Sequence, residues 1–299
     1  MLTATTCNCV FQIAWFWRFR SHQITMNGIS YIGLARHLVD GDFKASLHGY
    51  WSPLTSWFIA AASVFSKNYT LLGRVVTISS FLLCLPLLYL LTLRFCRSRA
   101  AAALSVLWFS MARGIVAECV GSILADFVLT ACVLLYFTLL LDTLRRSQST
   151  CRLSLGAVHA LAFLAKAIAM PWLAIATVLA VVVKNARVPR RLVASLLLAF
   201  LIPAAAWVGW GCALRSKYGV FTTGYQLRAN LRVNWHRRQT HFARGDDLDY
   251  VDTPSLYDKY MVGETSWASL QAFSIRKAGL LPMIVDNEAK NLPDAVNRQ

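Results

Sequence analysis

Long apolar blocks constrain this chain more than any motif does. Residues 71–93, residues 192–214 and the longer stretch 100–141 approach or exceed the ~20 residues that carry an α-helix across a bilayer. A backbone in hydrocarbon must satisfy its own N–H and C=O groups, and an α-helix does so within one segment. The whole chain is 57% hydrophobic, with a mean hydropathy of +0.50, which is too apolar for an ordinary soluble domain. These features predict an all-α fold, specifically a polytopic transmembrane helix bundle.

The net charge of +16 would suit nucleic acid if the basic residues formed one surface. Instead they are divided among separate short loops. Arg94, Arg97 and Arg99 form one cluster, Arg145, Arg146 and Arg152 a second, and Lys184, Arg187, Arg190 and Arg191 a third. Basic loops between apolar blocks stay in the cytoplasm. The pattern therefore implies the lipid bilayer as partner, with no nucleic acid, and a multi-pass integral protein of the cytoplasmic (plasma) membrane.

With the clusters as cytoplasmic anchors, residues 71–93 run inwards, 100–112 outwards, 127–141 inwards, 153–166 outwards, 170–183 inwards and 192–214 outwards. Several of these spans are short and require tilt. Residues 27–70, the link 113–126, Lys166 and the tail from Arg215 are then expected on the outer face. The chain divides into an N-terminal membrane segment (1–26), a first extracytoplasmic loop (27–70), the bundle (71–214) and an extracytoplasmic loop or tail (215–299). The apolar run 10–17 is too short to span alone. The first helix is thus expected to extend back towards Leu2, or the segment to be incomplete.

The first loop is polar and aromatic. Tyr31, Leu34, Ala35 and Leu38 recur at helical spacing, with Ser30, His37 and Asp40 opposite them. This pattern predicts an amphipathic helix lying in the interface. Ser52-Pro53 reads as an N-cap followed by proline at the first helical position. Leu54, Trp57, Phe58, Ala61 and Phe65 then form a second apolar stripe, too short to cross and read as a second interfacial helix. The alternative, a tilted span, would invert the topology downstream.

The eight cysteines lie mostly in or beside apolar segments and offer no metal spacing beyond the weak Cys7/Cys9 pair. His236 and His241 are poorly spaced for a helical metal pair. Asp246, Asp247, Asp249 and Asp252 are the one candidate for a divalent cation, and their spacing follows no loop pattern. The basic-aromatic run 228–244 is either a solvated loop or a contact for anionic headgroups. Asn68-Tyr69-Thr70 is a sequon, meaningful only in a eukaryotic secretory pathway.

Several short motifs share an order. They are Asn27-x-x-x-Tyr31, Ala35-Arg36, Gly41-Asp42, Tyr50-Trp51-Ser52-Pro53-Leu54, then Leu124-Ala125-Asp126-Phe127 and Leu164-Ala165-Lys166-Ala167. In this order residues 27–214 resemble the GT-C superfamily of membrane glycosyltransferases, in its protein-mannosyltransferase and aminoarabinose-transferase branch (family 39/83-like). The resemblance implies transfer of a sugar from a polyprenyl-phosphate carrier, at the outer leaflet, to a lipid, glycan or protein acceptor. It implies catalytic positions at Asn27 and Asp126, and substrate or phosphate contacts at Tyr31, Arg36, Asp42, Trp51 and Lys166. A carboxylate would orient or deprotonate the acceptor hydroxyl, and cations would stabilise the departing phosphate.

The chain departs from that pattern at Asn27, where the family carries an aspartate. Asparagine is no base at neutral pH. Family members also continue into further transmembrane helices, so the resemblance leads one to expect a truncated copy. The competing reading is an inactive relative that binds carrier lipid or partners; a transporter is the third. Simple structural roles also compete at single residues. Asp126 can serve as a helix N-cap, and Lys166 as a lysine snorkelling from a helix end.

Overall fold

The computed structural model describes residues 2–20, 25–146, 149–184, 190–219 and 221–222. The basic run 228–244, the aspartate cluster 246–252 and most of the tail 215–299 lie outside the described residues. Those described form eleven helices and no strand.

The first helix, α1 (Leu2–Arg20), reaches back to Leu2 as the short apolar run required. The first loop holds α2 (Met26–Val39), α3 (Phe43–Ser46) and α4 (Pro53–Ala62). Then follow α5 (Tyr69–Cys96), α6 (Arg99–Met111), α7 (Arg113–Gly121), α8 (Ala125–Arg146), α9 (Ser149–Ala165), α10 (Ala169–Lys184) and α11 (Arg190–Tyr218). Two helices, α5 and α8, are each long and apolar enough to cross a membrane. The bent pair α6–α7 makes a third if it counts as one span.

The pair α6–α7 corrects the sequence reading. Residues 113–126 were expected to be an outer link, because Arg113 and Glu118 interrupt the apolar run. The chain instead breaks at Ala112, bends by 57° and continues as α7. Val116, Cys119 and Val120 of α7 are fully buried. Cys119 and Val116 pack with Phe81, Phe127 and Cys9. Only Ser122, Ile123 and Leu124 remain non-helical. Charge marks the exposed side of α7, and only packing reveals the buried side.

A break inside an apolar layer frees carbonyls that need donors. Helix α1 supplies them: Gln12 Nε2 donates to Ser110 O at 3.0 Å and Asn8 Nδ2 donates to the same oxygen at 3.4 Å. Arg74, 2% exposed within α5, donates to Val120 O at 2.6 Å and to Arg20 O at 3.3 Å. One guanidinium thus binds carbonyls in the last turns of α7 and α1, where helix dipoles favour a cation. Its charge lies over the Trp17 ring, 5.9 Å from the centroid, within cation–π reach.

The arginine-rich end of the bundle is tied together. Arg94 pairs with Asp142 at 3.1 Å, and Arg145 donates to Arg94 O at 2.6 Å. Members of the first two basic clusters therefore meet at one end, as their shared sidedness required. Helices α9 and α11 cross closely at Gly156, where an added Cβ would lie 2.3 Å from Ala199 O. Phe163, Trp210 and Leu214 form a core further along the same two helices.

Candidate functional site

Opposite the arginine end, four pieces of chain come together: the first loop, the start of α8, the α9–α10 turn and the end of α11. Ile123 is the wedge that positions the first two. Cβ atoms added at Gly28 and Gly73 would lie 3.2 Å and 2.6 Å from Ile123 side-chain atoms. Glycine at both positions lets α2 and α5 close on the short link into α8. Tyr31, Ala35, Ile59, Leu72 and Ala125 are buried in the same cluster as Ile123.

The link delivers Asp126 into the first turn of α8. There the helix dipole favours a negative charge. Lys166, just past the end of α9, donates from Nζ to Asp126 Oδ1 at 2.6 Å. The lysine side chain is 23% exposed and the aspartate 55%. An ion pair with that access to solvent contributes on the order of 1 kcal/mol or less to stability. It is therefore a weak, exchangeable contact.

An aromatic wall stands beside the pair. Tyr31 is 4% exposed and meets Trp51 edge-on, with centroids 5.4 Å apart. Tyr50 meets Trp51 edge-on at 4.6 Å. The Tyr31 phenol is held above its ordinary pKa, first by burial and then by the nearby Asp126 and Tyr50. It stays neutral and available as a hydrogen-bond donor. His48 shapes the turn behind the wall, with Nδ1 accepting from the backbone N–H of Tyr50 (3.0 Å) and Trp51 (3.1 Å). Burial and the charge of Lys217 push the His48 pKa down to about 3, so the acceptor nitrogen remains unprotonated.

Helix α4 covers the segment expected to be a short interfacial helix, and most of its apolar stripe faces outwards. Of its predicted apolar stripe only Leu54 is buried; Trp57, Phe58 and Ala61 are exposed, and Phe65 beyond the helix is 90% exposed. The buried positions include Thr55 and Ser56 instead. Apolar residues outwards and hydroxyls inwards suit a helix whose surroundings are hydrocarbon. Leu54 packs against Val128 and Ala165, and Ile59 and Ala60 cluster with Leu72. The N-terminal turn of α4 thus packs against the last residue of α9, which precedes Lys166 in the chain.

That turn is incompletely satisfied. Ser52 occupies the N-cap but its side chain makes no capping hydrogen bond. The buried Thr55 Oγ1 and Ser56 Oγ have no hydrogen-bond partner among the described residues. Thr55 stands at the third helical position, within that turn.

The other sequence-derived positions divide. Asn27 sits in the first turn of α2, half-buried, next to the Gly28–Ile123 contact. Arg36 stacks its guanidinium 5.8 Å from the Tyr69 ring centroid. Asp42 is exposed and caps α3, accepting from Ala45 N–H at 2.9 Å. Asp126, Lys166, Tyr31 and Trp51 are the positions that the fold brings together. The sequon residue Asn68 caps α5, accepting from Leu71 N–H at 3.0 Å.

Sequence reasoning missed Arg74, His48, Lys217 and Tyr218. A lone charge within an apolar run was the available signal for Arg74. Lys217 and Tyr218 carried no pattern, because what they bind is backbone carbonyl 170 residues away. Among the described residues no group of three or more His, Cys, Asp or Glu is placed to hold a metal ion.

Comparison with protein-family models, with curated proteins and with solved structures finds no match to this chain.

Proposed function

We propose that the chain is a multi-pass membrane protein whose Asp126–Lys166 end binds the phosphate of a polyprenyl-phosphate-linked sugar at the outer leaflet of the plasma membrane. On this reading it acts as a GT-C-like glycosyltransferase towards a lipid, glycan or protein acceptor. The observation that carries the reading is the 2.6 Å Asp126–Lys166 contact, next along the chain from Ala165, which packs against the uncapped start of α4. Amide N–H groups at a helix start, two hydroxyls and a lysine form a donor set suited to a phosphate. A tetrahedral anion displacing Asp126 from Lys166 would free the carboxylate to orient an acceptor hydroxyl. Tyr31 and Trp51 supply the aromatic surface on which sugar rings stack.

The second reading, a carrier-lipid-binding protein without turnover, is favoured by one specific observation. The first-turn position of α2 beside Ile123 holds Asn27, whose amide cannot accept a proton at neutral pH. Restoring the acid separates the two. Asn27→Asp is expected to raise sugar transfer from a polyprenyl-phosphate donor by tenfold or more, within the usual range for a positioned general base. Equal, absent turnover in both proteins, with carrier binding intact, would establish the binding-only reading.

Sidedness is tested with impermeant thiol reagents on intact cells. Cys119, in the segment 113–126 expected on the outer face, is 0% exposed and will not react. Cys96 is exposed at the arginine end and is expected to be shielded until the membrane is opened. A cysteine introduced at Ser46, on the first loop, is expected to label at once. The reverse pattern would put Lys166 in the cytoplasm and end the outer-leaflet reading.

A further inference from the structure

The end of α11 holds the first loop at a point remote in sequence. Lys217 Nζ donates to Leu47 O at 2.6 Å and to Ala45 O at 3.2 Å. The Tyr218 hydroxyl donates to the same Leu47 oxygen at 3.2 Å. The ammonium also lies 5.6 Å from the Tyr218 ring centroid, so the two side chains brace one another. Leu47 packs into the cluster of Phe163, Trp210 and Leu214. One residue further, His48 receives the N–H groups of Tyr50 and Trp51. A continuous chain of contacts therefore runs from α11 through Leu47 and His48 to Trp51, and from Trp51 to Tyr31 beside Asp126.

We propose that Lys217 and Tyr218 form a latch that positions the Tyr50–Trp51 wall of the candidate site, so that the wall stands only while the end of α11 is docked on residues 45–47. The proposal rests on the site reading above for its purpose, but the latch itself is independent of any ligand. Helix α3 packs against α2 and buries none of its own residues. Phe43 is 67% exposed. Two carbonyls released from Lys217 and Tyr218 would face water, and the backbone of 45–51 would open.

The latch carries a pH signature of definite sign. Burial lowers the Lys217 pKa to about 8, with Asp42 opposing and Lys44 adding to the shift. The groups facing it are Asp42, Lys44, His48 and Tyr218, with Tyr50 behind the His48 turn. His48 is neutral above its pKa of about 3, and burial keeps the Tyr50 phenol neutral past its ordinary range. An opened, solvated Lys217 would regain its ordinary value near 10.5. Between about pH 8 and 10.5 the open form binds the proton and the docked form does not. Raising the pH therefore favours docking, since the neutral amine keeps two N–H donors for the two carbonyls.

Pulsed hydrogen exchange on the full chain in nanodiscs, followed by peptide mass analysis, tests this. Lys217→Met is expected to raise exchange of the 45–51 backbone about tenfold at pH 7, while peptides of α5 and α8 stay unchanged. Tyr218→Phe should give a smaller rise in the same peptide. In the unmodified protein, exchange corrected for intrinsic chemistry should slow at 45–51 between pH 7 and pH 9. Lys217→Arg, which stays charged, should keep the docking and lose that pH dependence. Unchanged exchange at 45–51 in Lys217→Met, or an equal rise throughout α5 and α8, overturns the latch. A polyprenyl-phosphate binding measurement on the same samples fails separately if the site reading is wrong and the latch is right.

Discussion

Gly156→Leu is expected to destabilise the protein by about 3 kcal/mol. The first atom of any side chain there would lie 2.3 Å from Ala199 O, a backbone oxygen within α11 that no rotamer change can move. The helices must separate, and the cluster around Leu155, Val158 and Leu196 loses its contacts with them. Small residues at membrane-helix crossings act in this way, by letting backbones approach. Thermal unfolding in detergent, read by circular dichroism, should show a loss of several degrees. Gly209→Ala serves as the control, because an added Cβ there meets nothing within 4 Å. That variant should be neutral or slightly stabilised, as alanine is the better helix former. Equal behaviour of the two variants would mean that α9 and α11 do not cross at Gly156.

Lys166→Met is expected to weaken binding of polyprenyl phosphate about 10- to 100-fold, the worth of one charge-assisted hydrogen bond at roughly 1.5–3 kcal/mol. Asp126→Asn makes the complementary case. It removes the carboxylate that occupies Lys166 in the empty site, so phosphate should bind a few-fold more tightly while sugar transfer falls. A purely structural pair would behave otherwise: both variants would alter stability by about 1 kcal/mol or less and leave binding untouched. The measurement is calorimetry or surface resonance on nanodisc-held protein, repeated at two salt concentrations. Electrostatic capture at a half-exposed pair weakens as salt rises.

Much of the architecture was legible from the residues alone, for reasons that can be named. Residues 71–93 are apolar beyond the length that a soluble core uses, and α5 covers them as Tyr69–Cys96. Tyr31, Leu34 and Ala35 fall on one helical face, and all three are buried in α2. Asp126 and Lys166 stood out as charges at the ends of apolar segments. Their placement at one end followed from the arginine clusters at the other. That inference needed only the directions of successive helices, not their packing.

Other features were hidden because they depend on partners distant in sequence. Arg113 and Glu118 looked like loop residues, yet α7 is half-buried against α1 and α5. The stripe on α4 read as the apolar side of an interfacial helix, and most of it does point outwards; that Thr55 and Ser56 turn in carried no pattern. A helical wheel gives the direction of a face but not what lies opposite it. In a membrane the outward direction favours apolar groups, so the usual assignment of faces reverses.

Composition, apolar run length and the spacing of arginines determined on their own that the chain is helical and suited to a bilayer, because solvent transfer acts on each segment separately. The tertiary structure alone decided that Asp126 touches Lys166, that Ile123 fits between two glycines, and that Lys217 reaches back to Leu47. Those contacts join residues 40 to 170 positions apart, and only the packed helices fix their distances.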